Sequence, residues 1–321
     1  MSNGTHSIIT RIDAVTRIPT SHLMAAPPAP RSVKIELTGR CNYRCGFCAL
    51  RTRAVQPKTD MDFDLFVKIT RQMRAAGVEE IGVFYLGESC AAPELLVSAI
   101  KHVKVLGFPY CFLTTNGSLM TPELAEQCMA AGLDSMKFSI NAADEEQFKA
   151  VMQVKPSLYQ DALDNLKAAR EVRDRGRYKC GIYASSIRYD GEQQAKMEEL
   201  IREKVAPHVD EHYWLPLYSM GSLATQREEE LGYRPTAGNQ GRLGALREPL
   251  PCWSAFSEGH VTASGILSAC CFDADSRWGM GDLNTQGFME AWNSASFKAL
   301  REAHLKRDVI GTVCEECVAY A

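Results

Sequence analysis

Polar and apolar positions repeat with two different periods along this chain. Short apolar runs of strand type fall at Val33–Leu37, Ile81–Leu86, Tyr110–Thr114, Met136–Ile140, Gly181–Ser185 and Tyr213–Tyr218. Between them the apolar residues recur at helical spacing. One such stretch begins near Met61 and stops at Gly77, with Phe63, Phe66, Val67, Ile69 and Met73 at helical spacing. A second opens on Thr121-Pro122-Glu123 and ends at Gly132, which places a capping hydroxyl, a first-turn proline and an early acid in order. A third runs from about Tyr159 to Arg175 and is expected to be closed by Gly176.

Strands alternating with helices predict a parallel sheet with right-handed crossovers. Six units are too few to close an eight-stranded barrel. The expected fold is therefore α/β, a partial (β/α)6 barrel with its site at the carboxyl ends of the strands. Four segments follow: a loosely attached, Pro-rich arm over 1–31, a core over 32–218, a connector over 219–251, and a smaller α+β unit over 252–321. That last unit opens with a hairpin, Val261–Ala263 and Ile266–Ala269 around Ser264-Gly265, and closes with a helix near Ser296–Lys306.

The 321 residues are 45% hydrophobic and 23% charged, with a formal net charge of -3. These proportions suit a soluble globular protein and exclude a disordered, collagenous or coiled-coil chain. Without a basic excess, nucleic acid is not an expected partner. No apolar stretch approaches the ~20 residues of a membrane helix, and no signal-peptide pattern precedes Pro27. The expected compartment is the cytosol, where thiols stay reduced. The 12 cysteines then point to metal rather than to disulfides.

Directly after the first strand stand Cys41, Cys45 and Cys48 in one loop. Three thiolates on a 4Fe–4S cube leave one iron with an open coordination site. Zinc is the alternative for these cysteines, although it prefers paired x2 spacings and a fourth ligand nearby. Near the carboxyl end, Cys252, Cys270, Cys314 and Cys317 supply four more thiols. A fully ligated cluster there has no open iron and suits electron transfer. Cys111, Cys128 and Cys180 read as small buried apolar residues. Cys90 follows the second strand closely enough to face the site.

The three-cysteine loop, with Phe47 before its last cysteine, resembles the radical S-adenosylmethionine (SAM) superfamily over roughly residues 33–218. The carboxyl-terminal unit resembles the twitch module, a shortened relative of the SPASM auxiliary-cluster module. The resemblance implies two 4Fe–4S clusters, one binding SAM on Cys41, Cys45 and Cys48 and one auxiliary on Cys252, Cys270, Cys314 and Cys317. It also implies an external electron donor such as flavodoxin or ferredoxin. Gly87-Glu88 stands where the family has a Gly-Gly-Glu-type motif for the SAM amino group; Leu86 and Ser89 depart from that motif. Ser139, Asn141 and, less directly, Ser185 stand at strand ends that contact the ribose and carboxylate, although such residues are also ordinary turn formers. Phe47 is a candidate for packing on adenine or is a core aromatic.

Cys271 is left over beside Cys270. On a hairpin strand the two thiols point in opposite directions. A neutral S–H is a hydrogen-atom donor to a carbon radical, and at neutral pH an ordinary thiol carries its hydrogen. Within the twitch group the chain resembles the neomycin C epimerase type, which uses such a cysteine, and less closely the dehydrogenase type of 2-deoxystreptamine biosynthesis, which does not. The expected function is inversion of one carbon of an amino-sugar or aminoglycoside-type substrate, with Cys271 catalytic. Alcohol dehydrogenation and peptide modification are the alternatives. Ammonium groups of such a substrate call for carboxylates; Glu258, Asp273 and Asp275 are the candidates, and Trp253, Phe272 and Trp278 are candidates to pack on sugar faces or to shield the cluster.

Overall fold

A computed structural model describes residues 7–52, 57, 59–218, 220, 250–273 and 276–317. Nearly all of the expected connector, and Asp275, lie outside these residues. Six parallel strands form in sequence: β1 (Ser32–Ile35), β2 (Glu80–Gly82), β3 (Tyr110–Thr115), β4 (Ser135–Ser139), β5 (Gly181–Ile187) and β6 (Glu211–Leu215). Each pairs with its neighbour in chain order. Helices α2 (Phe63–Ala75), α3 (Pro93–Val105), α4 (Pro122–Ala130), α5 (Glu145–Met152), α6 (Ser157–Gly176) and α7 (Gly191–Leu200) connect them. Phe66, Ile69 and Met73 of α2 join Val33, Ile35 and Ile81 in one apolar core between sheet and helices. Cys111, Cys128 and Cys180 are buried in that same core, and burial pushes each thiol up.

Local chemistry sets the boundaries. Asp62 caps α2 by accepting from the Leu65 amide, and Thr121 caps α4 through Leu124. The end of α6 departs from expectation. Gly176 is its last helical residue, and Arg177 takes the left-handed backbone at φ 55°. Strand β2 also ends earlier than its apolar run, at Gly82; Val83 N still donates to Phe112 O at 2.9 Å, and the chain beyond it leads to the carboxyl-terminal unit. There the Tyr85 hydroxyl lies 2.7 Å from the Cys270 carbonyl.

The amino-terminal arm is docked rather than loose. Residues Ile8–Thr16 form α1, and the carboxylate of Glu211 accepts from the Ile8 amide at 2.8 Å, a favourable charge at a helix start. Arg11 pairs with buried Glu80, and its guanidinium lies 3.0 Å over the Tyr110 ring. Glu80, Tyr110 and Glu211 each begin a strand, so α1 closes the amino end of the barrel.

The carboxyl-terminal unit continues the same sheet. Strand β7 (Glu258–Val261) lies parallel on β1, and β8 (Ile266–Ser268) and β9 (Gly279–Asp282) follow antiparallel. The order is β6-β5-β4-β3-β2-β1-β7-β8-β9. The hairpin turns at Gly265, whose φ of +85° suits glycine. Helices α8 (Ser254–Ser257), α9 (Phe288–Trp292) and α10 (Ala295–Leu305) pack behind it. Their hub is Arg301, fully buried. It donates to the carbonyls of Ala255 and Trp292, both at 2.7 Å, and lies about 4 Å from the Trp292 and Phe297 rings. Arg301→Met keeps the volume but leaves two buried carbonyls without that donor. It is expected to cost about 2–4 kcal/mol. A denaturation midpoint unchanged within error would show that the guanidinium is dispensable.

Candidate functional site

The loop after β1 is tied down by its backbone. Arg44 N donates to Met152 O at 3.0 Å and Gly46 N to Val151 O at 2.8 Å, which fixes the loop on the end of α5. Tyr43 stacks edge-on against Phe148 at 5.3 Å. Cys41, Cys45 and Cys48 are each half-buried. Burial pushes the Cys41 thiol up to about 12, and the nearby Glu88 and Cys48 add to the effect. Cys45 is raised by burial and by both other thiols. The three sulfurs are therefore close enough to repel as thiolates, in a setting that disfavours bare anions. Bound iron supplies the positive charge that such thiolates lack. Among the described residues no three side chains converge on a point where a single metal ion would sit; a cubane, several ångströms across, does not require them to.

The loop after β2 approaches this cysteine loop at backbone distance. A Cβ on Gly87 would stand 1.9 Å from the Thr38 carbonyl, so only glycine fits. Glu88 is buried, and its carboxylate accepts from Cys90 N, from Thr115 Oγ1 at 2.9 Å and from Asn116 N at 2.7 Å. Burial still raises its pKa despite these bonds. Asn116 also donates to Asn42 at 2.8 Å and so joins the end of β3 to the cysteine loop. Cys90 sits 3.4 Å from Thr115 Oγ1 and does not reach the main cavity.

A cavity of about 350 Å³ runs inside the barrel from α1 to Phe47 and Cys48. Ser139 borders it and also a smaller cleft lined by Asn116 and Asn141. The Asn141 side chain accepts from Ile187 N at 3.0 Å. Ser185 is buried opposite Ser139 in the β4–β5 ladder and lines neither space.

At the carboxyl-terminal unit, burial raises the Cys270 thiol, and Cys271, Cys314 and Cys252 add to it. Cys314 is likewise raised by burial and by Cys252 and Cys317. Cys252, Cys270, Cys314 and Cys317 are thus neighbours of one another. Cys271 and Phe272 instead line the barrel cavity. Of the expected carboxylates, Glu258 lines the cavity but accepts from Lys34 at 2.8 Å and from His260 at 2.9 Å. Asp273 is fully buried, accepts from Trp278 N, and does not line the cavity. Neither Trp253 nor Trp278 lines it.

Sequence reasoning passed over Lys34, Glu36, Asn116 and His260. The signal for the first two was present. Ser32-Val-Lys-Ile-Glu-Leu-Thr38 alternates polar and apolar residues strictly, whereas a parallel strand covered on both faces reads as continuously apolar.

A profile of the Radical SAM superfamily matches residues 35–202, and one of an iron-sulfur cluster-binding domain, SPASM, matches residues 252–318. The GTP 3',8-cyclase of Marinobacter nauticus is 26% identical over 179 residues, 56% of this chain and 51% of that protein. The PqqA peptide cyclase of Streptomyces rochei is 31% identical over 123 residues, 38% of this chain and 33% of its own. The chain thus spans about half the length of the first and a third of the second. Among solved structures, SuiB of Streptococcus suis bound to S-adenosylmethionine superposes with a TM-score of 0.65 at 14% identity, over 91% of this chain and 72% of that one. BtrN in complex with AdoMet and 2-DOIA gives 0.53 at 14% identity, over 86% and 87%. These likenesses show the fold, and among the described residues no helix is long and apolar enough to cross a membrane. With its profile match across more than half the chain and a second across the hairpin unit, the protein belongs to the radical SAM superfamily, as an enzyme with a SAM-binding 4Fe–4S cluster and an auxiliary iron–sulfur cluster.

Proposed function

We propose that this enzyme inverts one carbon of a small, sugar-like substrate of the amino-sugar type, and that Cys271 returns the hydrogen atom. The observation that carries this reading is the placement of the two adjacent cysteines. Cys270 is buried with Cys252 and Cys314, while Cys271 lines the same cavity as Cys48 and Phe47.

In this reading Cys41, Cys45 and Cys48 hold the SAM-binding cluster. Glu88 and Gly87 receive the SAM amino group, Ser139 and Asn141 serve its ribose and carboxylate side, and Phe47 packs on adenine; Ser185, which lines neither space, is left out of the set. Cys252, Cys270, Cys314 and Cys317 hold the auxiliary cluster. When bound, the SAM-loaded cluster supplies a 5'-deoxyadenosyl radical that removes one hydrogen atom from substrate carbon. Cys271 then gives its own hydrogen to that carbon: the S–H bond breaks and a new C–H bond forms. The sulfur radical is restored to a thiol by one electron and one proton, the electron coming from an external reductant of flavodoxin or ferredoxin type. The closed amino end at α1 and the apolar rings along the cavity exclude water that would otherwise reach the radical.

Dehydrogenation is the second reading, and Glu258 favours it. It is a carboxylate on the cavity wall, able to accept the proton that oxidation of an alcohol releases.

In heavy water, product from the wild-type enzyme should gain one deuterium and no other mass. A product lighter by two hydrogens would establish dehydrogenation instead. Cys271→Ala should still cleave SAM but lose inverted product by at least about 100-fold; full inversion by this variant would refute the donor assignment. Anaerobic reconstitution should give about eight iron atoms per chain, and a Cys314→Ser/Cys317→Ser variant about four. Iron for only one cluster in the wild type would remove the auxiliary ligand set.

A further inference from the structure

The inner face of the barrel carries a buried ionic group that the proposed inversion does not use. Lys34 on β1 and Glu258 on β7 are 4% and 2% exposed. Lys34 Nζ lies 2.8 Å from Glu258 Oε2, and His260 Nε2 lies 2.9 Å from the same oxygen. Register places Lys34 directly beside His260 in the β1–β7 ladder. Burying such a pair costs desolvation, and apolar residues of similar size generally hold a fold as well or better. The neighbouring positions Val33, Ile35 and Val261 are indeed apolar and face the outer core. Only the cavity side is charged.

Room for the pair is built into the sheet. A Cβ on Gly82 would stand 2.9 Å from the Phe112 ring and 3.1 Å from Lys34 Cγ. Glycine there lets the lysine stem and the rings of Phe84 and Phe112 share the interior. Those rings meet edge to face at 5.5 Å and line the same cavity. Apolar ring faces next to a paired donor and acceptor match a hydroxylated ring. Its C–H face packs on the aromatics, one hydroxyl accepts from the ammonium, and the adjacent hydroxyl donates to the carboxylate.

The charge balance narrows the class. Among the described lining residues the cations are Arg11, Lys34 and Lys137, and the carboxylates are Glu80 and Glu258. Glu80 is ion-paired with Arg11 and Arg31, and Glu258 with Lys34. Among the described lining residues, each carboxylate is thus already matched by a cation rather than open to a polyamine.

We infer that Lys34 and Glu258 orient the substrate by binding a vicinal diol, and that the cavity selects a single hydroxyl-dense ring over a polycationic one. This deepens the reading of the site as acting on a sugar-like molecule, but it is tested without turnover. Reconstituted enzyme loaded with SAM, with no reductant, is titrated calorimetrically with myo-inositol and with 2-deoxystreptamine. Wild type should bind myo-inositol more tightly than the diamine. The Lys34→Met/Glu258→Gln variant removes both charges and leaves an amide for His260. It should lose at least about tenfold in myo-inositol affinity, with cluster absorption and unfolding midpoint retained. A tighter diamine, no binding of myo-inositol to wild type, or equal affinity in the double variant would each overturn the inference. Should the double variant fail to fold, Glu258→Gln alone serves by the same criterion. The titration involves no turnover, so failure of the hydrogen-donor role would leave this result standing.

Discussion

One buried carboxylate ties the two halves of the molecule together. Glu36, just past β1, accepts from the Gly87 amide at 3.0 Å through one oxygen and from the Ala263 amide at 3.0 Å through the other. Its own amide donates to Val261. The loop that carries Glu88 and the turn of the carboxyl-terminal hairpin are thus set by a single side chain. Charge-assisted bonds to backbone amides are short and directional, so the carboxylate fixes positions as well as adding stability. The backbone-distance approach at Gly87 and the parallel seating of β7 on β1 both rest on this junction.

From that junction follows the shape of the interior. Adding β7 to the open edge of β1 carries the sheet into the hairpin unit without a break, and one ladder places Glu258 and His260 beside Lys34. Tyr85 then bridges from the end of β2 to the carbonyls of Cys270 and Asp273. The cysteine that faces the cavity is held by the same loop whose other cysteine lies with Cys252 and Cys314. Barrel and auxiliary unit therefore behave mechanically as one sheet with two cysteine-bearing loops.

The order of strands and helices was readable because period-2 and period-3.6 patterns are local properties, and caps such as Asp62 and Thr121 act within one turn. The cysteine loops were readable because spacing within a loop is also local. What the sequence did not disclose was long-range. Nothing near Glu36 indicates that its oxygens meet residues 51 and 227 positions away. The apolar stripe of Ile8, Ile12 and Val15 was present, but the prolines that follow it drew the reading toward a loose arm. Gly176 looked like a helix stop, yet the chain continues one residue further because Arg177 tolerates the left-handed backbone. Two of the expected ammonium-binding carboxylates, Glu258 and Asp273, are already engaged, which the sequence hid for a different reason. Charge on a residue can be read from sequence, but whether that charge is already matched depends on strands far apart in the chain.

The floor of the cavity is a helix laid across the strand ends, not a part of the sheet. Ile8, Ile12 and Val15 point into it from α1, while the strands pair with one another through their own backbones. Depth is therefore a separable property of this architecture. Larger or smaller residues at these three positions resize the chamber from below and leave both cysteine loops where they are, so related chains can change what they accommodate by altering one short amino-terminal helix.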